Sequence, residues 1–260
     1  MPRIVIKFGT GVLSRAGGRA LDGAQFRRFA SEIALLVKAG NSCVVVSSAA
    51  IAAGVHILGL AERPEDLPGK QACAAAGQPE LMRMYATAFK RHGLNVAQLL
   101  LTHDDIDSRM RRQNASNTIE RILETGNIMP IINENDTVAV EELRFGDNDR
   151  LSAEVAQLVG ANLLVLVTSS DGLTDSDGQR IAKAWDVSEV FQHVRADKGE
   201  MSVGGMRAKL QAVNFALSHG ISAFILDGRR PGQIAAAIAG HDVGTQFPAL
   251  AGRPKERVRT

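Results

Sequence analysis

The stretch IVIKFGTG, residues 4–11, decides the fold class of this 260-residue chain. It begins as a short, continuous apolar run and ends in a turn that contains two glycines. Five further apolar runs lie at residues 43–46, 99–101, 129–132, 163–167 and 223–226. Because these runs are continuous rather than alternating in polarity, they indicate buried strands of a parallel sheet that is covered on both faces.

Amphipathic stretches separate the apolar runs. Apolar side chains fall at helical spacing between Phe26 and Val37, and similar stripes cover residues 115–123, 152–159 and 206–217. This alternation predicts an α/β fold, specifically a three-layer αβα sandwich with a mainly parallel central sheet. Three segments interrupt the pattern. We expect a loop at residues 59–69, a small surface hairpin at residues 137–150 and a solvated basic tail at residues 251–260.

The composition excludes several classes of function. Thirty Lys and Arg against 28 Asp and Glu leave a net charge of +2, which favours neither nucleic acid nor a membrane as partner. Aromatic residues make up 4% of the chain, too few for surfaces that stack on single strands. No apolar run reaches the ~20 residues of a spanning helix, and the first residues lack a signal-peptide layout. Because Cys43 and Cys73 cannot form a disulfide framework, we expect a cytoplasmic protein.

Ligands of open α/β sheets bind at the carboxyl ends of the strands, so the residues after each run are candidate site residues. Lys7 ends the first run, and Gly9 and Gly11 follow it. A lysine embedded there needs an anionic partner, so phosphate binding and a tight strand-to-helix turn are equally good interpretations. After the second run, residues 47–54 read SSAAIAAG, where hydroxyl capping of a helix is a simpler interpretation than anion binding.

Two polar clusters follow the fourth run, NENDT at residues 133–137 and GDND at residues 146–149. Turns are rich in Asn and Asp, but so dense a group after a buried strand also indicates a site for an ammonium group, for lysines or for a metal. No His or Cys joins the clusters, which argues against zinc. Later in the chain, VGGMRAK at residues 203–209 combines two glycines with Lys209 and is a second candidate phosphate cradle.

Taken in order, these segments resemble the amino acid kinase family, and within it the glutamate 5-kinases. The resemblance runs from about residue 3 to residue 248, and the NEND and GDND pair is its most specific part. It implies transfer of the γ-phosphate of ATP to the side-chain carboxylate of L-glutamate, the first step of proline biosynthesis. It also implies the amino acid kinase fold over residues 1–250, with about 1–150 binding L-glutamate and about 151–250 binding ATP.

Site residues follow from the resemblance, position by position. It implies that Lys7 and Lys209 contact the transferring phosphoryl group and that Asp149 orients both lysines. The residues implied to bind L-glutamate are Ser48, Asp136 and Asn148. The residues implied to bind ATP are Lys7, Gly9, Thr168, Ser169, Val203, Gly204, Gly205, Met206 and Lys209. Mg²⁺ is expected to be bound through the ATP phosphates, without a metal ligand from the protein.

This reaction suits a site without a catalytic histidine. A glutamate side chain, with a pKa near ~4.3, is already ionised at pH 7, so no general base is required. What the site must supply is in-line positioning and positive charge around the transferring group. Two lysines and two glycine-rich segments meet that requirement.

Four positions depart from the pattern usual in the family. Ala49 stands where a glycine near the acceptor is usual, and Ser169 stands where an aspartate at the nucleotide turn is usual. Val203 and Ala208 stand where threonines are common. These changes predict an altered affinity for the nucleotide. Two alternatives therefore stay open: a kinase with another small carboxylate, carbamate or phosphate acceptor, and a relative that binds nucleotide or amino acid without turnover.

The resemblance has three further implications. Members assemble as homodimers or homotetramers, and proline acts on them as a feedback inhibitor. Many bacterial members continue into a small C-terminal PUA domain, which this chain is expected to lack because its basic tail lies about where that linker begins.

Overall fold

A seven-stranded sheet forms the centre of the computed structural model, which describes residues 1–15, 18, 20–139, 148–191 and 205–249. The strands of this sheet are, in chain order, β1 (Arg3–Phe8), β2 (Ser42–Val46), β3 (Asn95–Leu101), β4 (Ile128–Glu134), β5 (Leu163–Thr168), β8 (Ser222–Asp227) and β9 (Thr245–Phe247). Their spatial order is β3-β4-β2-β1-β5-β8-β9. Two short strands, β6 (Leu173–Thr174) and β7 (Arg180–Ile181), pair with each other in a separate antiparallel ribbon.

All neighbouring strands of the central sheet are parallel except β8 and β9, which are antiparallel. Strand β1 lies in the middle and pairs with β2 on one side and β5 on the other, so that Lys7 aligns with Val46 and Leu166. From β1 the sheet continues through β2 and β4 to β3 on one side, and through β5 and β8 to β9 on the other. A crevice therefore opens at the carboxyl ends of β1, β2 and β5, the usual place for a ligand in an open sheet.

Helices cover both faces of the sheet, as the sequence predicts. The helices are α1 (Thr10–Leu13), α2 (Gly23–Lys38), α3 (Ala50–Ile57), α4 (Leu67–Lys90), α5 (His103–Asp107), α6 (Arg109–Glu124), α7 (Asn148–Leu158), α8 (Val187–Phe191), α9 (Gly205–Ser218) and α10 (Gln233–Ile238). One apolar layer packs α2 and α4 against Ile4 and Ile6 of β1, and the other packs α6, α7 and α9 against Val5. Because successive strand residues point to opposite faces, a continuous apolar run serves both layers, and the three-layer α/β prediction is confirmed.

The expected loop over residues 59–69 is wrong for its last three residues, because α4 begins at Leu67. The Asp66 side chain caps this helix by accepting a hydrogen bond from the Gly69 amide, and Pro68 lies in the first turn, where its missing N–H costs nothing. The charged and glycine-containing sequence before residue 67 concealed this helix start.

The expected surface hairpin over residues 137–150 is wrong at both described ends. The amides of Val138 and Ala139 both donate to the Asn135 carbonyl oxygen, which makes residues 136–138 a turn. Residues 148–150 form the first turn of α7, which begins four residues before its apolar stripe because its first turn carries polar side chains. Residues 140–147 and the predicted basic tail at 251–260 lie outside the described residues.

None of the helices in the described part of the chain combines the length and the hydropathy needed to cross a bilayer. Cys43 and Cys73 are both buried and free of disulfide bonds. Burial raises the pKa of the Cys43 thiol to about 12, so this side chain packs as a neutral apolar group.

Candidate active site

Asp149 joins two lysines that come from distant parts of the chain. Its Oδ1 lies 2.5 Å from the Nζ of Lys7 at the end of β1, and its Oδ2 lies 3.0 Å from the Nζ of Lys209 in α9. Asp149 and Lys7 are buried, with side-chain exposed fractions of 1% and 6%, and Lys209 is partly buried at 11%. The first turn of α7 places the carboxylate between the two ammonium groups. The three residues predicted as catalytic therefore form one ion-paired group.

This group carries one positive charge in excess, because two ammonium groups share a single carboxylate. Buried charges are expensive unless they are paired, and one carboxylate shared by two lysines satisfies both while leaving an attraction for a further anion. The geometry holds the two Nζ atoms on either side of one carboxylate. A transferring phosphoryl group between them would meet both charges.

The turn between β1 and α1 lies beside this group. The Gly9 amide donates to the Val167 carbonyl oxygen at 3.1 Å, and Gly9 precedes α1 without a side-chain cap. A Cβ added to Gly9 would lie 3.6 Å from Val167 O, and one added to Gly11 would lie 3.7 Å from Ser169 Oγ, both ordinary contact distances. The protein itself therefore does not require glycine here. Open backbone at this position suits close approach by a bound anion.

A network of hydrogen-bonded side chains links the ends of β2 and β4 and the middle of β3 to helix α4. Asn148 Nδ2 donates to Ser48 Oγ at 3.2 Å and to Asn133 Oδ1 at 3.1 Å. Asn133 Nδ2 donates to Gln78 Oε1 at 2.9 Å, and Gln78 Nε2 donates to Gln98 Oε1 at 2.9 Å. Since Asn148 precedes Asp149 in α7, this hydrogen-bond network is joined directly to the lysine group. Ser48 and Asn148, both predicted to bind substrate, are thus in contact.

Sequence reasoning placed Asn133 in the NENDT cluster without giving it a role of its own, and it missed Gln78 as a site residue. Asn133 opens the NENDT cluster and is 1% exposed, and Gln78 lies in the middle of the 24-residue helix α4. A polar residue immediately before the end of a buried strand was the available signal for Asn133. Gln78 carried no comparable signal, because its partner is 55 residues away.

Ala49 adopts a left-handed backbone conformation, with φ 81° and ψ 8°. Among the described residues it is the only non-glycine with a positive φ. A side chain with a Cβ pays roughly 1 kcal/mol for this conformation, and such strain persists where the surroundings impose it. Ala49 directly precedes α3, so the strained residue lies between Ser48 and the start of that helix.

Asp136, the third predicted substrate residue, lies half-buried in the turn after β4. The Asn135 amide donates to the Leu101 carbonyl oxygen at 3.0 Å, and Gln71 of α4 donates to the Ala139 carbonyl oxygen at 3.4 Å. These bonds fix the turn to the end of β3 and to the first turns of α4. Asp136 is therefore presented at the same edge of the sheet as Asn133.

The predicted nucleotide residues lie across the sheet, at the ends of β5 and β8. Thr168 ends β5 and Ser169 is exposed in the turn that follows. Gly205 and Met206 form the first turn of α9, which also carries Lys209. Val203 and Gly204 lie outside the described residues.

Asp227 is a residue that the sequence did not single out. It ends β8 and pairs in register with Thr168, the last residue of the adjacent strand β5. Its carboxylate accepts hydrogen bonds from Arg229 Nε at 3.0 Å and Nη2 at 3.1 Å. Burial would raise the pKa of Asp227, but the hydrogen bonds from Arg229 and the charges of Arg229 and Arg230 outweigh it and hold that pKa below its usual range. Arg230 also pairs with Asp171 at 2.9 Å, which connects the turns after β8 and β5.

The excess positive charge of the lysine group suits an anion. Within the described ranges, no three His, Cys, Asp or Glu side chains converge as metal ligands. Each oxygen of Asp149 faces a lysine. Mg²⁺ commonly binds together with the phosphates of a substrate.

The amino acid kinase family model matches residues 2–227 of the chain. Over 252 residues the chain is 47% identical to the glutamate 5-kinase of Thermus thermophilus, covering 95% of this chain and 67% of that protein. It is 43% identical over 262 residues to the glutamate 5-kinase of Myxococcus xanthus, covering 98% of this chain and 69% of the relative. Anaeromyxobacter dehalogenans glutamate 5-kinase is 46% identical over 266 residues, with coverages of 98% and 69%.

Solved structures of N-acetylglutamate synthase from Neisseria gonorrhoeae share the fold. The complex with coenzyme A and N-acetyl-glutamate has a TM-score of 0.70 at 17% identity, and the complex with coenzyme A and L-arginine has a TM-score of 0.65 at 15% identity. Each match covers 95% of this chain, which spans 59% and 61% of the length of those chains respectively. At such low identity the likeness concerns the fold alone.

Proposed function

The chain belongs to the amino acid kinase family and, within it, to the glutamate 5-kinases, and on that premise we propose that it phosphorylates L-glutamate. ATP would donate its γ-phosphate to the side-chain carboxylate, giving L-glutamyl 5-phosphate and ADP, the first step of proline biosynthesis. The observation that carries this proposal is the ion-paired Lys7–Asp149–Lys209 group beside the hydrogen bond between Ser48 and Asn148.

The chemistry follows from charge and position. The glutamate carboxylate is ionised at neutral pH, so one of its oxygens attacks the γ-phosphorus without losing a proton. A bond forms between that oxygen and phosphorus as the bond from phosphorus to the bridging oxygen of ADP breaks. Lys7 and Lys209 stabilise the charge on the transferring group, and Asp149 keeps both ammonium groups in place. Mg²⁺ bound through the ATP phosphates would supply further positive charge.

The two substrates would occupy opposite halves of one continuous sheet. Ser48, Asn148 and Asp136 would hold L-glutamate in the half formed by residues up to about 150, with Asp136 facing its ammonium group. In the remaining half, ATP would contact the backbone near Gly9, the β5 turn at Thr168 and Ser169, and the segment from Val203 through Gly204, Gly205 and Met206 to Lys209.

Coupled ADP release tests the reaction and the acceptor together. The purified chain is supplied with ATP, Mg²⁺ and one of L-glutamate, D-glutamate, aspartate or N-acetylglutamate. We expect turnover that is fastest with L-glutamate. When hydroxylamine is present, we expect the acyl phosphate product to be trapped as the hydroxamate. Turnover with another acceptor alone contradicts the proposed substrate, and ATP binding in calorimetry without ADP release contradicts the proposed activity.

Further parts of the proposal concern assembly, regulation and location. We propose a homodimer or homotetramer, which light scattering after size exclusion measures directly. Proline is proposed as a feedback inhibitor, and adding it to the ADP assay at varied L-glutamate concentrations tests this. A cytoplasmic location suits a biosynthetic kinase whose two cysteines, Cys43 and Cys73, are buried as free thiols.

A further inference from the structure

The turn that carries Ser48 includes a strained residue, and something outside the turn must hold it. Ala49 has φ 81°, and no side chain caps the helix that begins after it. Strain of this kind persists only where neighbouring groups determine the conformation. The contacts of the turn therefore identify which groups keep Ser48 and the start of α3 in place.

One such contact comes from Tyr85, the single tyrosine of the chain. Its hydroxyl lies 2.9 Å from Ser47 Oγ, and both residues are buried. Ser47 Oγ donates to the Ser48 carbonyl oxygen at 3.0 Å. A serine hydroxyl has one hydrogen, so the Tyr85 hydroxyl is the donor to Ser47. The Ser48 carbonyl belongs to the peptide that precedes Ala49, and its orientation sets the φ angle of Ala49.

The tyrosine ring is itself fixed. It packs edge-to-face on Phe26, with ring centroids 4.8 Å apart, and lies nearly parallel to Phe89 at 6.3 Å. Helices α3 and α4 meet backbone to backbone, since a Cβ on Gly77 would lie 1.9 Å from the Ala50 carbonyl oxygen. Helix α4 therefore holds Tyr85 at a constant distance from the turn.

We propose that Tyr85 is a positioning residue for the acceptor. Acting through Ser47, it orients the peptide between Ser48 and Ala49, and so it places the Ser48 hydroxyl and the first amides of α3 at the site. The proposal rests on the function proposed above, because it takes L-glutamate as the ligand of Ser48. Its consequence is that the Tyr85 hydroxyl affects the binding of the acceptor and not that of ATP.

Tyr85→Phe removes only the hydroxyl and keeps the ring packing. Loss of one such hydrogen bond is expected to raise the KM for L-glutamate about 3- to 10-fold. The KM for ATP is expected to stay within error of wild type. Adding Ala49→Gly to Tyr85→Phe should restore the KM for L-glutamate, because glycine adopts a positive φ without a Cβ penalty.

Two control variants separate positioning from a general loss of stability. Thr87→Val removes an exposed hydroxyl from the same helix, and Ile33→Val removes a methyl from the same apolar layer. Neither is expected to change the ratio of the two KM values. An unchanged KM for L-glutamate in Tyr85→Phe overturns the proposal. So does a parallel rise of both KM values that Ala49→Gly does not reverse.

Amide hydrogen exchange provides a measurement that does not depend on the reaction. In the substrate-free protein, exchange at residues 49–53 is expected to be faster in Tyr85→Phe and slower again after addition of Ala49→Gly. If wild type does not turn over L-glutamate but this pattern is found, the proposed function fails and the holding of the turn by Tyr85 is supported. If exchange at residues 49–53 is the same in all variants, the proposal for Tyr85 is overturned.

Discussion

The acceptor side and the nucleotide side of the site are built differently. On the acceptor side, Ser48, Asn148 and Asn133 belong to one chain of side-chain hydrogen bonds, which rests on helices packed backbone to backbone. On the nucleotide side, Ser169 is exposed and the charged pair of Arg229 with Asp227 is partly open to solvent. Under the proposed function, the difference teaches that the protein would fix the small acceptor with its own side chains. It would leave open backbone for the larger, highly charged nucleotide.

The largest expected effect comes from the lysines at which the two sides meet. Lys7→Ala and Lys209→Ala are each expected to lower kcat by about 10²- to 10³-fold, because each removes a positive charge that stabilises the transferring phosphoryl group. Steady-state kinetics with both substrates measures this, with circular dichroism to show that the fold is retained. Lys38→Ala, an exposed lysine at the end of α2, is the control. A change in the KM for ATP alone in Lys209→Ala would assign that residue to the nucleotide side only.

Glycine substitutions sharpen the contrast in packing. On the acceptor side, a Cβ on Gly77 would lie 1.9 Å from the Ala50 carbonyl oxygen, so we expect Gly77→Ala to lower the free energy of unfolding by roughly 3 kcal/mol. On the nucleotide side, Gly11→Ala should change it by less than about 1 kcal/mol, since its Cβ would lie 3.7 Å from Ser169. Urea unfolding of both variants measures the difference. Equal losses of unfolding free energy in the two variants would contradict the difference in packing between the two sides.

Breaking the acceptor-side network of hydrogen bonds tests whether this network affects the binding of L-glutamate alone. Gln78→Leu removes the oxygen that accepts from Asn133 Nδ2 at 2.9 Å. We expect the KM for L-glutamate to rise about 5-fold, the equivalent of about 1 kcal/mol, with the KM for ATP unchanged. Gln113→Leu, which removes a surface hydrogen bond to Asn117 in α6, is the matched control. An equal rise in both KM values would show that the hydrogen-bond network affects L-glutamate and ATP alike.

Ala49→Gly measures the strain stored on the acceptor side. Relief of the positive φ is expected to raise the free energy of unfolding by about 1 kcal/mol. Thermal or urea unfolding measures it. Ala53→Gly, in the middle of α3 with an ordinary helical backbone, is the control and should lower stability by a similar amount. A loss of stability in both variants would mean that the turn does not strain Ala49.

The smallest effect concerns the pair of Asp227 and Arg229 on the nucleotide side. The pKa of Asp227 is lowered in the folded protein, so the pair stabilises the fold above the unfolded pKa of ~3.9 and loses its effect as the pH falls through the folded pKa. Because Arg229 is 61% exposed, we expect Asp227→Asn to cost less than about 1 kcal/mol at pH 7. Unfolding from pH 7 to pH 3 measures it. A difference between the two proteins that does not shrink below about pH 4 would contradict this account.

Much of the fold was predictable because apolar runs in a sheet covered on both faces are continuous. All six predicted strands exist, and each apolar stripe lies in a helix. The short strands β6, β7 and β9 were not predicted, since two or three residues carry no periodic signal. Helix α4 was also missed, because the small side chains of its first half, such as Cys73 and Ala74, face α3, and its large apolar side chains are confined to its second half.

The sequence by itself determined the α/β class, the kind of chemistry, and the identity of Lys7, Asp149 and Lys209 as candidates. Residue type and local spacing carry the fold class and the two lysine segments, and the resemblance to the amino acid kinase family implied the reaction and the role of Asp149. Only the tertiary structure decided which partners those residues have, as in the shared carboxylate of Asp149, the contact of Asn133 with Gln78, and the strain at Ala49. The physical reason is that hydrogen bonds and ion pairs act over about 3 Å in space. Lys7 and Asp149, for example, are 142 positions apart along the chain, where no local pattern records their contact.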